Sequence, residues 1–437
     1  MYLTFSDSVK FADIARNWIG GSGYGNTFSF WIWGISELIR GKIFSVFGIP
    51  PVMPVSIAGF FKIFGVNDFA VIATSFFYFI LTLIFVYLLG KQVFKSKLVG
   101  ALSTLAVGAS YDLIHYATNG ASESPFIFEI VAGMYFASLK KRWANVVTVL
   151  LLVLMYFTRP QAFIYIAGII LYWLLTNFKP KKAILVFVGL IVVGLFIDRF
   201  VLFPLAGKYF TYSVIGRGFY SSFNQSSVAS DALRGAAGVA GGGITQTLKN
   251  IFYNLYNFYK LLPQIISPYL FAIFAVGLFL PPTHKASNFA KATMDKSEGQ
   301  ANPQTAFKIA SVFIVIVTFI VAAASIPFYR YLHPIIPLVY ILAVGTIVEI
   351  INKLSSSAKA TEGQANTKFQ ILNTRYKILV STLLVLFFGV GQTLGVLLLD
   401  SRFERNTHNV GKPPVYVELS KTLKENTEPD DVVITNL

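Results

Sequence analysis

A few polar side chains in a strongly apolar chain have the types and spacing for chemistry. Asp7 opens the stretch Ser6-Asp7-Ser8-Val9-Lys10-Phe11-Ala12-Asp13-Ile14-Ala15-Arg16-Asn17, which runs on to Gly20-Gly21-Ser22-Gly23-Tyr24-Gly25. Glu123 sits in Asn119-Gly120-Ala121-Ser122-Glu123-Ser124-Pro125, with Glu129 one turn deeper. Arg159 lies in Phe157-Thr158-Arg159-Pro160-Gln161, and Arg330 and His333 in Phe328-Tyr329-Arg330-Tyr331-Leu332-His333-Pro334. A carboxylate can take the proton of an attacking hydroxyl. A guanidinium can grip phosphate oxygens at two points and stabilise a departing phosphate. Side by side, these groups suit transfer from a lipid phosphate to a hydroxyl. Such a site belongs at the membrane surface, because the tail of the donor stays in the bilayer.

Each residue also fits a plainer role. Asp7 suits the first turn of a helix, where the dipole favours an acid and Ser6 or Asp7 itself can cap. Asp13 and Arg16, three apart, suit a pair on the solvent face. Glu123 suits a helix start, with Pro125 in the first turn and Ser122 or Ser124 as cap. Arg159 and Arg330 could snorkel to hold the interface. Asp198 and Arg199 suit a local ion pair at a helix end. Glu129 falls where an ionisable group lies within the bilayer, which is costly and points to function.

The elements that must position these groups are membrane helices. Of 437 residues, 55% are hydrophobic and 13% charged, against about 25% charged in soluble domains. Mean hydropathy is +0.64. The formal charge of +16 comes from Lys and Arg clustered between apolar runs, which is the pattern of a polytopic membrane protein rather than of a nucleic-acid binder. There are no cysteines, and the four histidines (His115, His284, His333, His408) show no metal-ligand spacing. The chain opens on polar residues without the basic and apolar regions of a signal peptide.

The fold class expected is an all-α polytopic helix bundle. Residues 1–68 read as a first extracytoplasmic loop with interfacial helices. Within it, Phe11, Ile14, Ala15 and Trp18 recur on one helical face suited to lying on a membrane surface. Phe28 to Trp33 suit the headgroup layer, and Gly48-Ile49-Pro50-Pro51 breaks any helix. The core, 69–400, carries apolar runs at roughly 69–90, 98–113, 125–139, 144–158, 161–177, 183–200, 264–280, 307–326, 334–351 and 378–398. Several are short for a bilayer crossing. Alternate connections hold the lysines: Lys91, Lys95 and Lys97; Lys140, Lys141 and Arg142; Lys179, Lys181 and Lys182; then those of 281–306 and 352–376. The opposite short connections hold only Arg159 and Arg330. The lysine-rich side is therefore expected in the cytoplasm, with 1–68, the long loop 201–263 and the tail 401–437 outside.

The outer loop 201–263 offers Tyr209, Tyr212 and Tyr220 as acceptor-binding candidates, followed by a glycine run from Gly235 to Gly243 that lacks a nucleotide-binding spacing. The loops 281–306 and 352–376 share the segments Ala-Lys-Ala-Thr and Glu-Gly-Gln-Ala-Asn. They read as low-complexity insertions, disordered and remote from chemistry. The tail reads as a helix, a turn and a single strand, the start of a small α/β region that needs further chain to pair with.

The stretch from Asp7 to Gly25 resembles the GT-C class of polytopic glycosyltransferases. Within that class it is most similar to the branch of the protein O-mannosyltransferases and aminoarabinose transferases. The resemblance extends to Pro50-Pro51 through Gly65, Ser122-Glu123-Ser124-Pro125, Thr158-Arg159-Pro160, Arg330-Tyr331 before Pro334, and Pro429-Asp430-Asp431-Val432-Val433. It implies Asp7 as catalytic base, a polyprenyl-phosphate-linked sugar as donor, and inversion at the anomeric carbon. Glu123 stands where relatives often carry Asp, as a second acidic candidate. Ser8 departs from the family, which often follows its catalytic Asp with another acid. The family also sets a membrane helix before this loop, so the chain is expected to be incomplete at its start or to lack that helix. By the same reading Arg330, Arg159 and His333 bind the donor phosphate. The acceptor is a protein, lipid or glycan hydroxyl, no divalent metal is expected because the outer loops lack an Asp-x-Asp pair, and the site faces out from the plasma membrane. A transporter or flippase of lipid-linked sugars, or an inactive polytopic relative, are the alternatives.

Overall fold

The computed structural model describes residues 6–27, 44–45, 49–159, 161–197, 199–200, 244–281, 302–324, 329–361, 367–399, 421–422 and 425–426. Phe28–Trp33, Asp198, Tyr209, Tyr212, Tyr220, the glycine run, the shared loop segments apart from Ala358–Thr361 and Asn302, and nearly all of the tail lie outside the described residues. The chain divides into two compact units, 1–80 with 114–125 and 395–437, and 81–113 with 126–394.

In the first unit, helix α1 (Ser6–Ile19) packs on α2 (Val52–Phe64) and the start of α3 (Asp68–Phe94). Phe11 and Ala15 of α1 meet Met53, Ile57, Ala58 and Phe61 of α2 and Ala70, Val71 and Ile72 of α3. Burying each large apolar side chain contributes about 1.5–3 kcal/mol. This corrects the expectation that the α1 stripe faces a membrane. Phe11, Ile14 and Ala15 are buried within protein and only Trp18, 46% exposed, remains outward. The reason is local: Met53, Ile57 and Phe61 recur every four residues on α2 and supply the partner stripe. Pro50-Pro51 ends the preceding segment, and Gly65 at φ +79° closes α2 with its N–H on the Phe61 carbonyl. A two-stranded antiparallel pairing of Gly25–Asn26 (β1) with Phe44–Ser45 (β2) closes the loop after α1.

The second unit is a helix bundle. It comprises the rest of α3, then α4 (Lys97–Gly108), most of α6 (Glu123–Ser138), α7 (Arg142–Tyr156), α8 (Ala162–Asn177) and α9 (Pro180–Ile197). After these come α10 (Ile244–Ile265), α11 (Pro268–Phe279) and α12 (Pro303–Ala324). A 3₁₀ segment (Tyr329–Ile335) leads into α13 (Ile336–Thr361), and α14 (Thr367–Val385) leads through a π-turn into the start of α15 (Gly391–Leu399), whose residues from 395 on belong to the first unit. The short α5 (Tyr111–Ala117) follows α4 at a bend of 69°. Helix α13 is the central one and is buried over most of its apolar length.

Among the described residues the apolar runs are largely helical, but those at 98–113 and 264–280 are each broken by a sharp bend. Among the described residues five helices are long and apolar enough to cross a membrane, seven if each bent pair counts as one. Helices α7 and α8 are apolar but shorter. Two loop expectations change. Residues 244–263 of the supposed outer loop lie in α10, whose Asn254 and Phe258 are buried while Phe252, Tyr256 and Tyr259 are exposed. Polar residues at helical spacing hid that helix from a search for unbroken apolar runs. Residues 352–361 and 367–376 continue α13 and α14 rather than forming a loop.

Lys140 has its pKa lowered by burial and then by the charge of nearby Lys95, so these two lysine-bearing connections lie near each other. Lys308 of α12 donates to the Gly277 and Leu280 carbonyls at 2.6 and 2.9 Å, capping the end of α11. Close packing at glycines sets the helix spacing. A Cβ at Gly277 of α11 would lie 2.0 Å from Thr346 Oγ1 of α13. Gly277→Ala is therefore expected to destabilise the bundle by about 1–3 kcal/mol, read as a lower thermal midpoint in detergent. An unchanged midpoint would show that these helices can part freely.

Candidate active site

The candidate residues form two groups, one in each unit. In the first, α1 ends in a loop that its own polar residues fasten. Asp13 accepts from the Thr27 amide at 2.7 Å and the Thr27 hydroxyl at 2.9 Å, and pairs with Arg16. Arg16 reaches Thr27 Oγ1 at 3.1 Å, Asn17 Nδ2 donates to the Gly25 carbonyl at 2.8 Å, and the Tyr24 hydroxyl donates to the Ile49 carbonyl at 3.1 Å. Burial pushes that phenol up to about 12. The expected Asp13–Arg16 pair thus exists, with Arg16 exposed and Asp13 turned inward. Asp13 is buried because one short carboxylate satisfies the loop's amide and hydroxyl together.

Asp7 stands half-buried in the first turn of α1, beside Ser8, which is fully buried. Ser8 donates to the Asn119 carbonyl. Ser75 of α3 holds the same segment, donating to the Ala117 carbonyl at 2.7 Å and accepting from the Gly120 amide at 3.1 Å. Four residues after Asn119 comes Glu123, 1% exposed at the start of α6. The structure therefore brings the chain neighbours of both acidic candidates together, through Ser8 and Asn119. The departure of Ser8 from an acid has a local cause: a carboxylate there would meet a carbonyl oxygen.

Gly120 makes this junction possible. It adopts φ +76°, and a Cβ there would lie 2.6 Å from Val71 Cγ1 and 3.2 Å from Ser8 Cβ. Gly120→Ala is expected to cost about 1–3 kcal/mol and to loosen the start of α1. Amide exchange of α1 should accelerate, and unchanged protection would contradict the role given to this glycine.

The second group lies among α5, α6, α7 and the 3₁₀ segment. The His333 ring is fully buried, with Nε2 3.2 Å from Asp112 Oδ2 and Nδ1 3.1 Å from the Arg330 carbonyl oxygen. The Arg159 guanidinium carbon lies 5.9 Å from the centre of the Tyr331 ring, a cation–π distance. Arg159 is 8% exposed, so Arg159 and the Arg330–His333 segment, placed in separate hairpins by the sequence, meet around Tyr331. Glu129, 2% exposed, accepts from the Thr158 hydroxyl at 2.7 Å. A buried guanidinium over an aromatic ring can bind an oxyanion, since it acts there with little competition from water. Among the described residues, no three of His, Asp and Glu lie together as metal ligands.

Sequence reasoning missed Asp112 and ranked Glu129 below Glu123. Asp112 fell at the end of an apolar run, and a carboxylate at such a depth asks for a cation. That signal was present, though not the identity of His333. Tyr209, Tyr212 and Tyr220 lie outside the described residues.

Residues 49–198 match the family model described as dolichyl-phosphate-mannose-protein mannosyltransferase. In three dimensions the chain is similar over 98% of its length to 77% of ArnT from Cupriavidus metallidurans bound to undecaprenyl phosphate, with a TM-score of 0.51 and 14% identity. The apo structure of that ArnT gives a TM-score of 0.50 at 13% identity and the same coverage. The chain shares the fold of this ArnT, and residues 49–198, about a third of the chain, resemble the mannosyltransferase family. No curated protein matches the chain in sequence. The family match takes in Asp112, Glu123, Glu129 and Arg159, and stops short of Asp7, Arg330 and His333. Likeness at this identity gives the fold, while roles must be argued from the residues.

Proposed function

We propose that this protein transfers a sugar from a polyprenyl-phosphate-linked donor to an acceptor hydroxyl at the outer face of the plasma membrane. The observation that carries the reading is the meeting of Arg159 with the Arg330–His333 segment around Tyr331, in a fold shared with an ArnT crystallised with undecaprenyl phosphate. A carboxylate and a phosphate grip are the two things the reaction needs.

Asp7 takes the proton of the acceptor hydroxyl. The acceptor oxygen forms its bond to the anomeric carbon as the bond from that carbon to the phosphate oxygen breaks. The bonding pair leaves with the polyprenyl phosphate, and Arg159 and Arg330 stabilise the charge that develops. His333, held by Asp112, sets the 3₁₀ segment that carries Arg330. One displacement inverts the anomeric centre. Glu123 is the second acidic residue of the acceptor side, and Tyr209, Tyr212 and Tyr220 are proposed as acceptor contacts. The mechanism calls on no metal.

The test is release of polyprenyl phosphate by purified protein in lipid, supplied with a panel of polyprenyl-phosphate sugars. Turnover of at least one donor is expected. Facilitated movement of the intact donor between leaflets, without cleavage, would replace this reading with a transporter. An epitope within 281–306 accessible from outside intact cells would overturn the orientation.

A further inference from the structure

We propose that Glu129 is a positioning residue for the phosphate grip, acting through Thr158 to fix Arg159. This rests on the function proposed above.

The connection between α7 and α8 is only a few residues long, and Arg159 lies within it. Its backbone bonds run back to α7. The Thr158 and Arg159 amides both donate to the Met155 carbonyl, at 3.1 and 3.3 Å. The Ala162 amide then donates to the Arg159 carbonyl at 3.1 Å. These bonds tie the turn to its own hairpin. Glu129 supplies a side-chain tie from another helix, α6. The Thr158 hydroxyl lies 2.7 Å from Glu129 Oε1 and 2.8 Å from the Leu154 carbonyl oxygen. It shares one proton between two acceptors, and so locks the residue next to Arg159 against two helices.

The tie is costly for the fold alone. Glu129 is 2% exposed, and its Oε2 has no hydrogen-bond partner among the described residues. A half-satisfied carboxyl at this depth is unfavourable compared with an apolar side chain of the same volume. Arg159 needs placing, because a guanidinium grips phosphate at two points only when its fork is held at a fixed angle. Its guanidinium is set against the Tyr331 ring, and tilting the turn would carry it off that ring.

The experiment measures binding of undecaprenyl phosphate to the purified full chain in lipid nanodiscs, with the thermal midpoint recorded for every variant. Glu129→Leu and Thr158→Val are each expected to weaken binding by about 10-fold, the equivalent of about 1.4 kcal/mol. Glu129→Gln, which keeps a hydrogen bond to Thr158, should stay within about 3-fold of wild type. In an Arg159→Ala background, Glu129→Leu should weaken binding no further, because the effect runs through Arg159. A merely structural role would lower the midpoint and weaken binding equally in both backgrounds, and that result overturns the proposal. Wild-type binding by Glu129→Leu overturns it as well while leaving the function intact. Wild-type binding by Arg159→Ala removes the arginine grip itself and Glu129's role with it.

Discussion

Replacing Arg159 by Gln, or Arg330 by Gln, is expected to weaken binding of a polyprenyl phosphate by about 10- to 100-fold each. A charge-assisted hydrogen bond contributes about 1.5–3 kcal/mol, roughly twice a neutral one. The site amplifies this, because Arg159 is almost fully buried and is set against the Tyr331 ring. Arg159→Lys should fall between wild type and Gln, since it keeps the charge and loses the two-point grip. If both arginines grip one phosphate, as proposed, the two replacements should couple rather than add. Binding of labelled polyprenyl phosphate, with the unphosphorylated polyprenol as control, reads this effect. Equal affinity for the alcohol and the phosphate, in wild type and variants alike, would remove the phosphate site.

Asp7→Asn is expected to lower transfer by about 10²- to 10⁴-fold, the usual contribution of a general base, with donor binding unchanged. The plainer role of Asp7 predicts something far smaller. An acid in the first turn of a helix contributes about 0.3–1 kcal/mol through the dipole, and Asn is itself a good residue at a helix start. A 100-fold loss in rate requires about 2.7 kcal/mol, which that role cannot supply. The loop after α1 is fastened by Asp13, Arg16, Asn17 and Thr27, and it should survive the change. A variant that folds, binds donor and fails to transfer fits the base. Asp13→Asn should do the reverse, loosening the loop and lowering stability.

The all-α membrane architecture was legible because apolar runs, short polar links and the lysine bias each leave a local mark. The amphipathic character of α1 was also legible, since Phe11, Ile14 and Ala15 repeat with helical period. What covers that stripe was not, because α2 presents a matching stripe only after a turn whose geometry depends on Pro50, Pro51 and Gly65. Helix α10 escaped for a related reason: an amphipathic helix lacks the continuous apolar run that identifies a span.

At the candidate site, residue types were readable and partners were not. Acids and arginines are conspicuous in a chain this poor in charge. That Arg159 would meet Tyr331, that His333 would pair with Asp112, and that Glu129 would hold Thr158 depends on how distant helices cross, which no local spacing encodes. Ser8 illustrates the limit. In sequence it looked like a departure from a family pattern, and in three dimensions its hydroxyl is the tie to Asn119 that brings the Glu123 segment to α1.

The most direct test compares wild type and Asp7→Asn in one lipid preparation, measuring polyprenyl-phosphate binding and sugar transfer separately on the same donor. The expected result is transfer by wild type, none detectable by the variant, and the same donor affinity in both. Full transfer by Asp7→Asn would contradict the assignment of the base, and an absence of sugar transfer from every polyprenyl-phosphate donor by the wild type would contradict the enzyme.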